Sequence, residues 1–360
     1  MSLHSRGFGT EHLANSLKSA GTRRRPTRGI IAAILGIVAV AAVVWSVERA
    51  NSTPATPFSQ PLLAAWSLTT PEMVQSAGAS GLNFVFLYGP PPDPSSPLGR
   101  SLIQADMQVI SAEVADLVSA YECTRTHTVA PQPGGSRAET YCARDRGYSE
   151  SQLYDDVAAL VKRDSANPLV AGYWVLDDTP DWDFGSLKPV LNEVASLIPA
   201  GRPKICGFSA GLGPNGKNYW EPGRAANFTA AGCDFVATYV YADSRHESDP
   251  PLTGIDWEMR GLLPEIKGSL QANGWDPSQQ PLLGIAQAFG GRRAKNGAIT
   301  DPPTPADMVA QARGYCSAGV GGLAWFAWSI ATNYPTAQTP ANDPDLANGV
   351  REAAKSCEVG

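Results

Sequence analysis

From Leu62 onward the chain alternates short, almost fully apolar runs with stretches of helical periodicity, and that alternation is what most restricts its fold. Seven such runs read as strands: Leu62 to Trp66, Asn83 to Tyr88, Leu169 to Asp177, Lys204 to Ser209, Phe235 to Tyr241, Leu282 to Phe289 and Leu323 to Trp328. Helical patterns fill the gaps, as repeated βα units around a parallel sheet require. Thr70-Pro71, Thr304-Pro305 and Asp343-Pro344 each place a capping side chain before a proline in the first turn of a helix. Ser149 with Gln152 forms a capping box ahead of Leu153, Val157 and Leu160, and further helices fit Leu187 to Leu197 and Ile255 to Ala272. An eighth strand is expected between Leu102 and Cys123, where Val114 to Tyr121 reads equally as that strand or as the end of a long helix.

Eight units make a (β/α)8 TIM barrel. The 360 residues suit one such barrel of about 250 residues with insertions and a tail. A composition 43% hydrophobic and 17% charged supplies a large core, while 35 Gly and 30 Pro point to many loops. The rival is a doubly wound open sheet. It expects a glycine-rich phosphate loop after the first strand, and Ala64-Ala65-Trp66-Ser67-Leu68-Thr69 has no glycine. The longest loops, Cys123 to Tyr148 and Ala242 to Ile255, belong in a barrel to the C-terminal face of the strands, where sites are built.

The N-terminus carries a separate signal. Residues 1–28 form a basic tail with Arg6, Lys18, Arg23, Arg24, Arg25 and Arg28 against the single acid Glu11. Gly29 to Val47 follow without a charge over 19 residues, the length of a membrane-spanning helix. The positive-inside bias puts the tail in the cytoplasm and the rest of the chain outside. A cleaved signal peptide gives the same topology, but a cut after Ala50 would leave Glu48 where a small residue is needed. Residues 48–60 then read as a Ser/Thr/Pro linker, and 61–360 as the extracytoplasmic barrel domain.

All six cysteines follow the apolar segment, so an oxidising compartment suggests disulfides. The element order favours the sequential pairing Cys123 with Cys142, Cys206 with Cys233, and Cys316 with Cys357, among fifteen formal possibilities. No Cys/His spacing suggests zinc, and two of the four histidines lie in the tail, so neither a metal nor another cofactor is expected. The net charge of -6 argues against a nucleic-acid partner and leaves a neutral or sugar-like ligand. Asn227-Phe228-Thr229 is a formal glycosylation sequon.

The segment Ala171 to Pro180 concentrates the chemistry: a fully apolar fourth strand ends in Asp177 and Asp178. Adjacent side chains of a strand alternate in direction, so one of the two acids points into the barrel mouth. From Gly172 to Pro180 the chain resembles the Gly-Tyr-x-x-x-Asp-Glu-x-Pro strand end of barrel glycosidases of the (trans)glycosidase superfamily, with Asp178 where that pattern has Glu. The resemblance implies that Asp178 is the general acid or acid/base and that Asp177 orients it or binds a sugar hydroxyl. It implies a polysaccharide or glycoconjugate as substrate. Retaining relatives carry a second carboxylate at the end of the seventh strand, where this chain has Gln287. Asp243, just beyond Tyr241, is the best replacement; Glu247, Asp256 and Glu258 are poorer ones.

Aromatic residues gather near the same strand ends. Trp66, Tyr88, Tyr173, Tyr239, Tyr241, Trp325 and Trp328 are candidate platforms for pyranose faces, with Trp328 preferred, while Trp174 and Phe326 read as barrel core. Gln287 and Ser209 complete the candidate binding set. Two other functions are compatible with these residues. One is a carbohydrate-binding or envelope protein that kept the barrel without catalysis. The other is a serine esterase, because Gly207-Phe208-Ser209-Ala210-Gly211 has the Gly-x-Ser-x-Gly spacing, with Asp234 or Asp243 and His246 downstream.

Overall fold

The structure, a computed structural model, describes residues 58, 61–122, 127–128, 140–141, 147–179, 184–209, 232–239, 241, 254–272, 274–292, 299–330 and 337–357. Eight strands close into a ring: β1 (Leu62–Trp66), β2 (Phe84–Leu87), β3 (Gln108–Ser111), β4 (Val170–Thr179), β5 (Lys204–Ser209), β6 (Phe235–Tyr239), β7 (Leu282–Gln287) and β8 (Gly322–Phe326). Each pairs in parallel with its sequence neighbours, and β8 returns to β1 through Leu62 opposite Gly322 and Ala65 opposite Trp325. This is a TIM barrel, so the open-sheet alternative and the open sheet of an esterase both fall away.

The strand expected between Leu102 and Cys123 lies in Gln108–Ser111, and Val114 to Tyr121 belong to a helix. β3 has only four residues, QVIS, of which two are polar, so it lacks a conspicuous apolar run. Val114, Val118 and Tyr121 are buried at helical spacing on the helix Glu113–Glu122.

The helices are α1 (Pro71–Ala79), α2 (Pro97–Gln104), α3 (Glu113–Glu122), α4 (Glu150–Ser165), α5 (Phe184–Leu197), α6 (Gly254–Trp257, a π-helical turn Glu258–Leu262, then Leu263–Ala272), α7 (Pro305–Ser317) and α8 (Pro344–Lys355). Their starts follow local chemistry. The Thr70 hydroxyl accepts from the amide of Met73, Ser149 and Gln152 close a capping box, Thr304 and Asp307 close another, and Asp343 accepts from Asp345 and Leu346. Each cap contributes about 1 kcal/mol. The π-helical turn runs up to Leu263-Pro264, where proline supplies no amide hydrogen to the helical ladder.

Two apolar layers result. Inside the ring, Trp66, Phe84, Phe86, Ile110, Trp174, Ile205, Phe235, Leu283 and Ile285 pack together. Outside it, the opposite faces of the strands meet α1 through α8 in a larger layer. Cys206 on β5 bonds to Cys233 ahead of β6, and Cys316 on α7 bonds to Cys357 after α8, both with α-carbons 5.8 Å apart. These are two of the three expected bridges; Cys123 and Cys142 lie outside the described residues, as do the basic tail, the 29–47 segment and the sequon at Asn227. Among the described residues no helix is long and apolar enough to cross a membrane.

Candidate active site

Strand β4 departs from simple alternation at the point that matters. Trp174 packs inside the barrel, whereas Tyr173, Val175 and Leu176 all pack in the outer layer. The cause is a pair of register shifts against β5: Trp174 lies opposite Ile205, Leu176 opposite Cys206 and Thr179 opposite Phe208. Strict alternation from Trp174 would have sent Leu176 inward. The first bulge inserts one residue and reverses the phase, so the carboxylate of Asp177 turns into the barrel. The second leaves Asp177 and Asp178 together opposite the single residue Gly207.

Asp177 is 2% exposed and held from two sides. The Tyr88 hydroxyl, directly after β2, donates to Oδ2 at 3.1 Å, and the Tyr239 hydroxyl, at the end of β6, donates to Oδ1 at 2.5 Å. All three side chains come from even-numbered strands, the alternation by which barrel interiors are layered. Both carboxylate oxygens therefore have a fixed donor, and the carboxyl plane has one orientation. Gly207 makes this possible, because a β-carbon there would stand 2.8 Å from Tyr239 Oη.

Aromatic rings surround the pair. Trp66 stacks on Phe86 with centroids 4.1 Å apart, and the edge of Trp174 meets both. Nearer the rim, Tyr239 contacts Tyr241, which packs against Phe289 and Phe326. Tyr88, Tyr239, Tyr241 and Phe326 are partly exposed at this end, and Trp66 and Trp174 are buried below them. The indole N–H groups of Trp66 and Trp174 have no acceptor among the described residues. Buried donors of this kind are uncommon, and they add hydrogen-bonding capacity beneath the aromatic ring set.

Tyr173, Trp325 and Trp328 lie elsewhere. Trp325 and Trp328 are fully buried in the layer between strands and helices, where neither ring has a face open to a ligand. The same layer holds Tyr173, whose phenol is pushed up to about 12 by burial first and then by the charge of Asp164. Gln287, at the end of β7, is also fully buried; its amide Nε2 donates to the carbonyls of Phe289 and Asp301 at 2.9 and 3.0 Å. Its side chain thus braces the loop after β7. The backbone of Ser209 ends β5 opposite Tyr239, and Asp178 lies on β4, but the side chains of both are outside the described set. Asp243, His246 and Glu247 lie wholly outside the described residues. Asp256 is exposed on α6, bridged at 3.8 Å to Arg260, and Glu258 is buried on the π-helical turn.

Three features of this site escape a sequence reading. Phe289 and the inward phase of Asp177 depend on loop course and bulges, which leave no periodic trace. Gly207 does leave one: a glycine inside an apolar strand marks the close approach of another group. Among the described residues no three His, Cys, Asp or Glu side chains gather as a metal site.

No family model and no curated protein matches this sequence. Solved structures do. A β-galactosidase from the psychrophilic Marinomonas ef1 superposes with a TM-score of 0.54 at 10% identity, over 82% of this chain and 59% of the other. A glycoside hydrolase superposes with a TM-score of 0.50 at 12% identity, over 81% of this chain and 69% of the other. The chain therefore spans about three fifths of the length of the β-galactosidase it matches. At such low identity the likeness is one of fold: a TIM barrel of the kind found in glycoside hydrolases.

Proposed function

We propose that this chain is a glycoside hydrolase that cleaves an extracytoplasmic polysaccharide or glycoconjugate at the mouth of its barrel, held to the membrane by residues 29–47. The observation that carries the reading is the inward carboxylate of Asp177, fixed by Tyr88 and Tyr239 among partly exposed rings at the C-terminal end of the strands. Active sites of TIM-barrel enzymes occupy that end. Rings of this kind suit the apolar faces of pyranoses, and the fixed carboxylate suits their hydroxyls. In this reading Asp178 is the acid that protonates the departing glycosidic oxygen, and Asp177 belongs to the machinery that meets the sugar.

The test is release of reducing ends from a broad glycan panel. Asp178→Asn is expected to abolish release while glycan binding persists, and Asp177→Asn to lower release without unfolding the barrel. The second reading, a carbohydrate-binding barrel without catalysis, draws support from Gln287, which stands at the end of β7 with its amide committed to two backbone carbonyls. Glycan binding by the wild type with no reducing ends from any member of the panel decides for that reading.

A further inference from the structure

We propose that Tyr239 is the nucleophile of the hydrolytic reaction, with Asp177 as its base and Tyr88 as the residue that positions that base. The inference rests on the glycosidase reading above and supplies the group that reading leaves open.

A tyrosine hydroxyl becomes a competent nucleophile when a base sits within hydrogen-bond reach and a third group orients the base. The structure holds that arrangement: Tyr239 Oη is 2.5 Å from Asp177 Oδ1, and Tyr88 Oη is 3.1 Å from Oδ2. Their exposure divides the roles. Asp177 is 2% exposed, whereas Tyr239 is partly exposed at the barrel mouth, so a ligand there has more of the tyrosine than of the carboxylate open to it. The end of β7 offers no competitor, since it carries Gln287 with its amide engaged by Phe289 and Asp301. Gly207 keeps the space beside Tyr239 Oη clear of a β-carbon.

In the first step a lone pair of Tyr239 Oη bonds to the anomeric carbon, and the bond from that carbon to the glycosidic oxygen breaks with its electron pair. The phenolic proton passes to Asp177, and the departing oxygen takes a proton from Asp178. In the second step a water oxygen bonds to the anomeric carbon and gives a proton to Asp178. The bond from that carbon to Oη breaks, and Asp177 returns its proton to Tyr239. Two displacements at one carbon retain its configuration.

The experiment treats the wild-type protein with 2,4-dinitrophenyl 2-deoxy-2-fluoroglycosides of the gluco, galacto and manno series, followed by intact mass and peptide mapping. A fluoroglycosyl adduct on Tyr239, and retained anomeric configuration by NMR on the released sugar, are the expected results. Tyr239→Phe is expected to lower kcat by about 1000-fold or more and to form no adduct. Tyr88→Phe, which loosens the base but spares the nucleophile, is expected to keep adduct formation at a lower rate. Turnover with inversion, an adduct mapped to a carboxylate, or turnover by Tyr239→Phe near the wild-type rate each overturns the tyrosine assignment and leaves the glycosidase reading standing. Neither turnover nor adduct with any probe overturns both.

Discussion

Gly207 and Trp174 approach so closely that a β-carbon on Gly207 would lie 2.3 Å from Cζ2 of the indole. The strand beside the candidate site therefore has room for a backbone and nothing more. Gly207→Ala must displace Trp174 or Tyr239, and overpacking of this kind costs about 1–3 kcal/mol. Because Tyr239 Oη also lies within 2.8 Å of that position, the hydrogen bond to Asp177 is expected to lengthen. Urea denaturation should show the lost stability and glycan turnover a parallel loss. A variant with wild-type stability and turnover would show that the ring and phenol have freedom they lack in the structure.

Gln287 provides a second test. Its amide satisfies the carbonyls of Phe289 and Asp301, and its backbone N–H donates to Gln311 Oε1. Gln287→Leu leaves the buried carbonyl of Phe289 without that donor, at a cost of about 1–3 kcal/mol, and also removes the bond to the carbonyl of exposed Asp301. Gln287→Glu places a carboxylate against the same two carbonyls, so it is expected to destabilise the protein and not to supply a working nucleophile. Thermal melts of the two variants beside the wild type measure both effects.

The disulfides act on the unfolded chain. Cys206–Cys233 and Cys316–Cys357 span 27 and 41 residues, and loops of that size contribute about 3–4 kcal/mol each through restricted unfolded-state entropy. Reduction is expected to lower the Tm, and replacing either pair by alanines should account for part of the drop. An unchanged Tm after full reduction, verified by thiol counting, would contradict this.

Tyr173 sets an alkaline limit. Its pKa is raised from 10.0 to about 12 by burial and by the nearby charge of Asp164. A group whose folded pKa is raised contributes stability that is complete below pH 10 and lost as pH rises toward 12. Denaturation midpoints from pH 9 to 12 should fall, and Tyr173→Phe should flatten that fall. The variant tracking the wild type across the range would place the alkaline loss in other tyrosines.

Much of the barrel was legible because it is written in local signals. β1 and β5 stand at the residues where apolar runs begin and end, and four helix starts follow their capping side chains. β3 was not legible as a strand, since four residues with Gln and Ser at their ends carry no period. The site was legible in place but not in phase. A strand ending in two acids directs attention to Asp177 and Asp178, yet the side on which each faces depends on bulges set by pairing with β5. The tryptophans Trp325 and Trp328 illustrate the same limit. Both faces of a parallel strand are apolar, so composition does not separate the ring interior from the outer layer.

Tyr88 lies 89 residues before Asp177, and Tyr239 lies 62 residues after it. A contiguous fragment that contains all three must span about two fifths of the chain. The arrangement thus comes into being only when β2, β4 and β6 stand in one curved sheet. Chemistry at this centre therefore reports on the assembly of the stretch from β2 to β6, and a chain in which those strands had not paired would lack the activity whatever its helix content.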